Sequence, residues 1–266
     1  MSAVLRRFTR LCRLAIHFAL GVAQIKLLYW FIDREARMAV RARWCSQMLC
    51  LLGVELRVSG TPPSGCHLIA ANHISWLDAL AIGALFPCWL ISKTEVRAWP
   101  VIGWLAAKNE TLFLRRGSRR AAYRMNAEIR ARLSSRQSVV IFPEGTTTDG
   151  SQVLPFYPAL FQPAVDEARP ILPLAICYRD DAAKRATAVA YIDNDPLWKS
   201  LRAVLDAPRI EAHLLLADVL DPAGRTRREL AALAQSAIAQ LQLQQAGPEA
   251  FHEQQTERVS PLLSSA

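Results

Sequence analysis

The sequence predicts an α/β fold, in which a single domain has a mixed or largely parallel sheet flanked by helices. Strand-like and helix-like segments alternate along most of the chain, which is the pattern of such folds. Two short apolar segments end in polar loops, as buried strands do, and no internal repeat or interdomain linker divides the chain. Its 266 residues are enough to bury one substantial core.

The alternating part, residues 53–243, follows an N-terminal helical segment at residues 1–52. Short runs of β-branched and apolar residues predict strands, and longer amphipathic runs predict helices. Residues 244–266 are rich in Gln, Ser and Glu, which predicts a disordered tail. The predicted strands are residues 54–59, 68–71, 89–92, 112–114, 139–142, 171–177, 188–192 and 210–217. The predicted helices are residues 76–85, 119–133, 159–167, 197–205 and 226–243.

The N-terminal segment contains an apolar run over residues 14–32, interrupted by His17, Gln24 and Lys26. As a helix this run reaches about 28 Å, just short of a bilayer crossing. We therefore favour partial insertion into a membrane over a full span, with Lys26 reaching the surface. Residues 34–52 predict a second helix, so the two form a membrane-docking helical pair.

Arginine supplies most of the formal charge of +9 and flanks the apolar run on both sides. Basic residues beside an apolar helix are attracted to anionic headgroups, by about 1 kcal/mol each near the surface. No recognisable nucleic-acid-binding motif accompanies the charge, so the predicted partners are membrane lipids and not nucleic acid. The flanking residues are Arg6, Arg7, Arg10 and Arg13 before the run and Arg34, Arg37, Arg41 and Arg43 after it.

An imidazole and a carboxylate lie five residues apart in a predicted strand-to-helix loop. His73 follows the apolar run at residues 68–71, and Asp78 falls in the first turn of the next helix. This spacing suits a general base with its orienting acid, because a nearby carboxylate fixes the tautomer and stabilises the imidazolium. Ser75 and Asp78 equally match a helix capping box, so a purely structural role stays open.

A second polar loop follows the β-branched run at residues 138–142. Residues 143–150 contain two acids, three threonines and two glycines. In open α/β sheets, ligands bind outside the carboxyl ends of the strands, so this loop and the His73 loop can converge on one site. Pro-Glu-Gly and Asp-Gly are also ordinary turn formers, so a role in the turn alone stays open here.

The two loops, in this order, resemble motifs of the glycerolipid acyltransferase family, which includes the 1-acylglycerol-3-phosphate acyltransferases. The family's N-H-x-S-x-x-D motif matches at residues 72–78, and its F-P-E-G-T motif matches at residues 142–146. Between them, residues 111–117 resemble a further motif and place Arg116 at its arginine. Residues 171–175 resemble the fourth motif, and the segment around Lys93 looks like the family's lysine-containing segment.

The resemblance implies that a fatty acyl group passes from a thioester to the free hydroxyl of a lysophospholipid, with 1-acylglycerol-3-phosphate as the expected acceptor. Acyl-CoA or acyl carrier protein would be the donor, and neither a cofactor nor a metal is expected. His73 would be the general base, oriented by Asp78. Ser75 would cap a helix rather than act as a nucleophile, because the donor is already activated. The substrate-binding residues would be Arg116, Glu144, Gly145, Thr146 and Lys93, the last beside the developing oxyanion or simply on the surface.

Two departures from the family pattern concern the acceptor. Thr147 stands where the family usually has arginine after E-G-T, and Arg115 stands where the second motif often has an acidic or amide residue. An arginine fork binds phosphate well and threonine does not. A lyso-ornithine lipid or another lysolipid is therefore an alternative acceptor, and a non-catalytic lipid-binding protein is the alternative from another class.

Six cysteines show no C-x-x-C spacing and no neighbouring histidine cluster. They are expected to be small core residues in a reducing compartment rather than metal ligands or a disulfide framework. The sequence contains neither a G-x-S-x-G elbow nor an H-E-x-x-H helix, which argues against a serine hydrolase or a zinc enzyme. We expect the protein at the cytoplasmic face of the inner (plasma) membrane.

Overall fold

Seven strands form one mixed sheet at the centre of the part of the chain that the structure describes. This computed structural model describes residues 3–114, 119–192 and 196–246. The strands are β1 (Val54–Ser59), β2 (Leu68–Ala71), β3 (Cys88–Lys93), β4 (Thr111–Leu114), β5 (Ser138–Ile141), β6 (Ile171–Asp180) and β7 (Ile210–Leu216). They lie in the order β1-β7-β6-β2-β5-β3-β4. β7 is antiparallel to β6, and the other neighbouring pairs are parallel.

Helices cover both faces of this sheet. They are α1 (Ala3–Leu28), α2 (Arg34–Leu52), α3 (Leu77–Leu85), α4 (Thr94–Arg97), α5 (Ile102–Lys108), α6 (Arg119–Ser134), α7 (Gln162–Asp166), α8 (Leu197–Asp206) and α9 (Arg227–Ala246). One core, which includes Leu77 and Val204, joins α2, α3 and α8 to one face. A second core, which includes Ile129 and Phe161, joins α6, α7 and α9 to the opposite face.

The sheet opens between β5 and β3 toward its carboxyl edge. Cys88 and Trp89 pair with Ser138 and Val139, whereas β3 from Leu90 onward pairs with β4. The carboxyl ends of β5 and β3 are therefore not joined by ladder hydrogen bonds. The loop after β5 begins beside this gap, at the edge where β2 also ends.

Helices α1 and α2 form an antiparallel hairpin that packs through one close crossing. The His17 imidazole stacks on the Trp44 indole with ring centroids 4.8 Å apart, and its Nε2 lies 3.1 Å from the Trp44 carbonyl oxygen. Gly21 lies against the same indole, so closely that a Cβ at this position would be 2.5 Å from Trp44 Nε1. These contacts make His17 part of the packing between the two helices. Burial of the imidazole lowers the pKa of His17.

Several arginines that were expected to face lipid headgroups instead attach the hairpin to the domain. Arg7 forms a bidentate pair with Asp206, and the Arg10 guanidinium donates to the carbonyls of Leu205 and Ala207 at the end of α8. Arg7 is thus engaged by a carboxylate of the protein, and Arg10 by carbonyl groups at a helix C-terminus, which attract cations.

At the other end of the hairpin, Arg34 forms a bidentate pair with Glu110. Arg41 is buried, and its guanidinium donates to the Phe86 carbonyl at 2.8 Å and to the Cys88 carbonyl at 2.7 Å. The hairpin is therefore fixed at both ends. It lies on the same face of the sheet as α3 and α8.

The outer side of α1 carries a row of exposed apolar side chains. By length and composition this helix could cross a membrane. Its inner side, however, is committed to the contacts with α2 and α8, and only the outer side is free. The row consists of Phe8, Leu11, Ile16, Leu20 and Leu27, followed at the hairpin tip by Trp30 and Phe31, which are 80% and 85% exposed.

Most of the predicted elements are confirmed, and three predictions differ from the structure. Residues 188–192 are not a strand, because this segment begins with a 3-10 turn at Thr187–Val189 and pairs with no sheet strand. The predicted helix at residues 159–167 is a 3-10 turn, Pro158–Phe161, followed by the short α7. Helix α9 continues to Ala246, and the rest of the predicted tail lies outside the described residues.

Candidate active site

The loop that contains His73 begins where β2 ends and is anchored to β6 by its first residue. The Asn72 amide Nδ2 donates to the Ile176 carbonyl at 3.0 Å, and the Ile176 N–H donates to Asn72 Oδ1 at 2.7 Å. Asn72 therefore completes the hydrogen bonding of a neighbouring strand just as its own strand stops. This double contact fixes the point from which His73 leaves the sheet.

The structure brings His73 and Asp78 together. His73 Nδ1 lies 2.7 Å from Asp78 Oδ2, and the carboxylate is fully buried at the start of α3. With Nδ1 engaged by a carboxylate, Nε2 is the ring nitrogen that can accept a proton. The imidazole stacks on Phe142 with ring centroids 4.0 Å apart, and 21% of its side chain remains exposed. The ring is held in one orientation and can still be reached from outside.

Asp78 also receives backbone donors, as the capping interpretation predicted. The N–H groups of Ile74 and Ser75 donate to its Oδ2 at 2.7 and 2.9 Å, and Ser75 Oγ accepts the Leu77 N–H. Ser75 is fully buried, so its hydroxyl is not presented to a substrate. The capping box and the His73 contact therefore coexist in one carboxylate.

Tyr178, which belongs to none of the sequence motifs, completes the surroundings of Asp78. The Tyr178 hydroxyl, from β6, donates to Asp78 Oδ1 at 2.7 Å, and the phenol is buried. Burial and the nearby Asp78 carboxylate raise the pKa of Tyr178 well above its usual value. Tyr178 lies 100 residues from Asp78 along the chain, so no local spacing could have indicated the pair.

Glu144 joins the second polar loop to the first. Its Oε1 accepts the His73 N–H at 2.8 Å and its Oε2 accepts the Leu154 N–H at 2.9 Å. The side chain is buried, and burial raises the pKa of the carboxyl group. Both oxygens are thus occupied by backbone donors, so Glu144 holds the two loops together, and its predicted contact with substrate stays a prediction.

The residues after Glu144 pack closely on the His73 loop and the segment after β6. Gly145 has φ +70° and faces the Tyr157 ring, so a side chain here would be strained and crowded. The Thr147 hydroxyl donates to the Tyr191 carbonyl, and the Tyr191 N–H donates to the Ile74 carbonyl at 3.1 Å. Thr147, at the arginine position of the family motif, is therefore engaged inside the protein.

The remaining predicted site residues border the same edge of the sheet or lie outside the described part. Lys93 ends β3, on the far side of the gap beside β5. Thr146 is partly exposed in the loop after β5. Arg115 and Arg116 fall between the described ranges, so their roles stay predictions.

A histidine oriented by a buried carboxylate, at the carboxyl edge of an open α/β sheet, has the geometry that general-base catalysis by an enzyme requires. The chain belongs to the Acyltransferase family, which matches residues 55–177. This match includes both loops of the site.

Two relatives and one solved structure are similar over most of the chain. A lyso-ornithine lipid O-acyltransferase from Pseudomonas aeruginosa is 37% identical over 245 residues, or 89% of this chain and 93% of the relative. A 1-acyl-sn-glycerol-3-phosphate acyltransferase from Neisseria gonorrhoeae is 35% identical over 189 residues, or 70% of this chain and 74% of the relative. The crystal structure of a 1-acyl-sn-glycerophosphate acyltransferase from Thermotoga maritima has a TM-score of 0.70 at 19% identity, covering 92% of this chain and 96% of that one. The last likeness concerns the fold alone.

Proposed function

We propose that this enzyme transfers a fatty acyl group from a thioester to the free hydroxyl of a lysolipid in a membrane. The observation that carries the proposal is the His73–Asp78 pair, which leaves Nε2 able to take a proton at a partly open site. Relatives that span most of the chain are named for the acylation of lysolipids, which supports the same reaction.

The reaction needs one proton carrier. His73 Nε2 accepts the proton of the lysolipid hydroxyl as the hydroxyl oxygen attacks the thioester carbonyl carbon. A C–O bond forms, and the carbonyl oxygen becomes an oxyanion. When this intermediate collapses, the C–S bond breaks and the leaving thiolate takes the proton from the His73 imidazolium. The products are an ester and a free thiol, and Asp78 stabilises the imidazolium between the two steps.

The donor is acyl-CoA or acyl carrier protein, since both present the same thioester. A thiolate leaves without assistance, so the reaction as written uses neither a metal nor another cofactor. Lys93 is our candidate to stabilise the oxyanion, because it ends β3 at the same edge of the sheet as the loop after β5. Arg116 and Thr146 are our candidates to bind the acceptor headgroup.

Release of free thiol from an acyl thioester tests the function. The wild-type protein should release thiol only when a lysolipid is present, and His73→Ala should lower kcat by about 10²–10⁴ with the fold intact. The control is His213→Ala, because His213 also lies beside a carboxylate, 3.1 Å from Glu211, but on β7. Thiol release without lysolipid would identify a hydrolase, and no release at all would leave a lipid-binding protein.

Between the possible acceptors, we favour a lyso-ornithine lipid over 1-acylglycerol-3-phosphate. Threonine at position 147 offers no cation to a phosphate, and its hydroxyl already donates to the Tyr191 carbonyl. An ornithine headgroup carries a carboxylate and an ammonium group and requires less positive charge. The relative that covers nearly the whole chain is named for lyso-ornithine lipid. Lysophosphatidate is the second candidate, because the Neisseria relative is named for it.

A comparison of kcat/KM for the two acceptors with one acyl thioester tests this preference. Thr147→Arg should raise kcat/KM for lysophosphatidate relative to lyso-ornithine lipid by about tenfold or more, because a charged hydrogen bond contributes ~1.5–3 kcal/mol. Thr147→Val removes the hydroxyl alone and should impair both acceptors alike. Thr187→Arg, at an exposed position four residues before Tyr191, controls for added charge. A wild-type preference of about tenfold for lysophosphatidate, or 1.4 kcal/mol, would contradict our choice.

The enzyme docks on the membrane through the outer side of α1, in our proposal, and lies at the cytoplasmic face of the inner membrane. Because the inner side of α1 is bonded to α2 and α8, the helix would lie in the interface rather than span the bilayer. The exposed row that ends in Trp30 and Phe31 would enter the headgroup region.

A further inference from the structure

Asp78 is surrounded by hydrogen-bond donors on both of its oxygens. Oδ2 faces the loop and accepts from His73 Nδ1 and two backbone N–H groups. Oδ1 faces the sheet and accepts from the Tyr178 hydroxyl at 2.7 Å. Asp78 and Tyr178 are both buried, so this second contact is not exchanged with water.

We propose that Tyr178 is a positioning residue that acts through Asp78 and sets the pH at which His73 becomes a working base. The inference rests on the proposed function, because it assigns to Tyr178 a role in the same acyl transfer. The Tyr178 hydroxyl bonds to Asp78 Oδ1, whereas the imidazole bonds to Oδ2. Its effect passes through the charge of the carboxylate.

The direction of the effect follows from how the carboxylate charge is shared. A hydroxyl that donates to Oδ1 stabilises negative charge on that side of the carboxylate and so weakens its pull on the imidazolium. Loss of the Tyr178 hydroxyl would therefore leave Asp78 to hold the imidazolium more strongly through its Oδ2.

Among the described residues, Tyr178 and Glu144 are titratable groups from other elements that bond to the His73–Asp78 segment, and Cys177 adjoins Tyr178 on β6. Glu144 accepts the His73 N–H, and its negative charge acts on the imidazole in the same sense as that of Asp78. Tyr178 opposes both acids. Its own pKa is raised well above 10, so the phenol stays protonated and remains a donor at every pH at which the enzyme would be assayed.

A purely structural hydrogen bond would give a different result from a tuning one. If Tyr178 only held β6 against α3, its loss would lower activity by the same factor at every pH. If it tunes His73, its loss moves the acid limb of the kcat/KM profile to higher pH and leaves the plateau at high pH nearly unchanged. The acid limb is therefore the discriminating measurement.

The experiment compares Tyr178→Phe with wild type and with Tyr29→Phe. Tyr29 is a matched control, because its buried hydroxyl also donates one hydrogen bond, at 2.7 Å to Asn109, but in the helical hairpin. We expect the acid limb to move upward by about 0.5–1 pH unit in Tyr178→Phe and to stay in place in Tyr29→Phe. An unmoved or downward-shifted limb in Tyr178→Phe would overturn the inference.

Labelling of His73 tests the inference without turnover. Diethyl pyrocarbonate reacts with neutral imidazole, so the pH dependence of His73 modification, followed by mass spectrometry, reports its protonation. The same upward shift is expected in Tyr178→Phe. If no lysolipid is acylated but this shift occurs, the proposed function fails while the link from Tyr178 to His73 stands.

A second variant covers the case in which Tyr178→Phe does not fold. Replacing tyrosine with 3-fluorotyrosine throughout the chain makes each phenol a stronger donor while keeping its shape. The stronger bond to Asp78 should move the midpoint of His73 modification to lower pH, opposite to the effect of Tyr178→Phe. A midpoint that does not move, or that moves upward, would overturn the inference.

Discussion

At the scale of single residues, the carboxylate of Asp78 accepts hydrogen bonds both from the start of a helix and from the His73 imidazole. The spacing from Ser75 to Asp78 indicated a capping box, and the spacing from His73 indicated a base with its acid. The structure places both sets of donors on Asp78 Oδ2. The cap fixes the carboxylate, and the fixed carboxylate orients the imidazole, so the helix start is part of the site.

The variant Asp78→Asn separates these roles. The amide oxygen can still accept from the loop while its NH₂ group turns toward Tyr178, whose hydroxyl can accept. We therefore expect kcat to fall by about 10²–10⁴, because the imidazolium loses its counter-charge, while the free energy of unfolding falls by only about 1–3 kcal/mol. Steady-state rates and thermal unfolding measure the two effects. Normal turnover with a lower melting temperature would leave capping as the only role.

Residues that act within one loop could be predicted from the sequence, and their distant partners could not. His73 and Asp78 were identified because a five-residue spacing is local. Glu144 was identified by its motif, but its bonds to the backbone of two other segments depend on how the loops meet. Tyr178 carries no signal of its own, since a tyrosine at the end of a strand is ordinary. Only the pairing of β6 with β2 brings it to Asp78.

At the scale of elements, the long or strongly patterned segments were predicted well and the short ones were not. β1 and β2 begin and end as predicted, because apolar runs bounded by turn residues are clear. Helices α4 and α5 were missed, since a single helical turn and a short helix after Pro100 have too few residues to show a period. Residues 188–192 resemble a strand, but their backbone bonds go to loops, as the Tyr191–Ile74 bond shows.

The hairpin of α1 and α2 depends on the absence of a side chain at Gly21. Leucine is a better helix former than glycine by roughly 0.8–1 kcal/mol, so Gly21→Leu would stabilise an isolated helix. Here the new side chain meets the Trp44 indole, and we expect a net loss of about 1–3 kcal/mol, or several degrees of melting temperature. Ala19→Leu, on the exposed side of the same helix, is the control. An unchanged melting temperature in Gly21→Leu would show that the crossing can relax.

At the scale of the whole molecule, the two faces of the sheet differ in what covers them. The hairpin lies over the face of α3 and α8, and its outer side is a row of apolar side chains. The opposite face carries α6, whose exposed residues include Arg120, Tyr123 and Arg124. One covered face therefore presents an apolar outer surface, and the other presents exposed arginines.

Membrane attachment should depend on the hairpin tip rather than on charge. We expect the double substitution of Trp30 and Phe31 by glutamate to move the protein from the membrane fraction to the soluble fraction. High salt should not release the wild-type protein, because burial of apolar area is only weakly screened. Tyr123→Glu is the control, as Tyr123 is an aromatic residue on the opposite face with 75% exposure. Sedimentation after salt and detergent washes measures the distribution, and release by salt alone would contradict the proposal.

The pair formed by Arg7 and Asp206 joins residues that are 199 positions apart. A ribosome adds roughly 5–20 residues per second, so α1 emerges about 10–40 s before the residue that it will bind. During this interval neither its apolar row nor its inner side has an intramolecular partner from α8. We therefore expect the nascent chain to reach the membrane before the sheet is complete, so that the catalytic domain folds while already tethered to the surface on which it works.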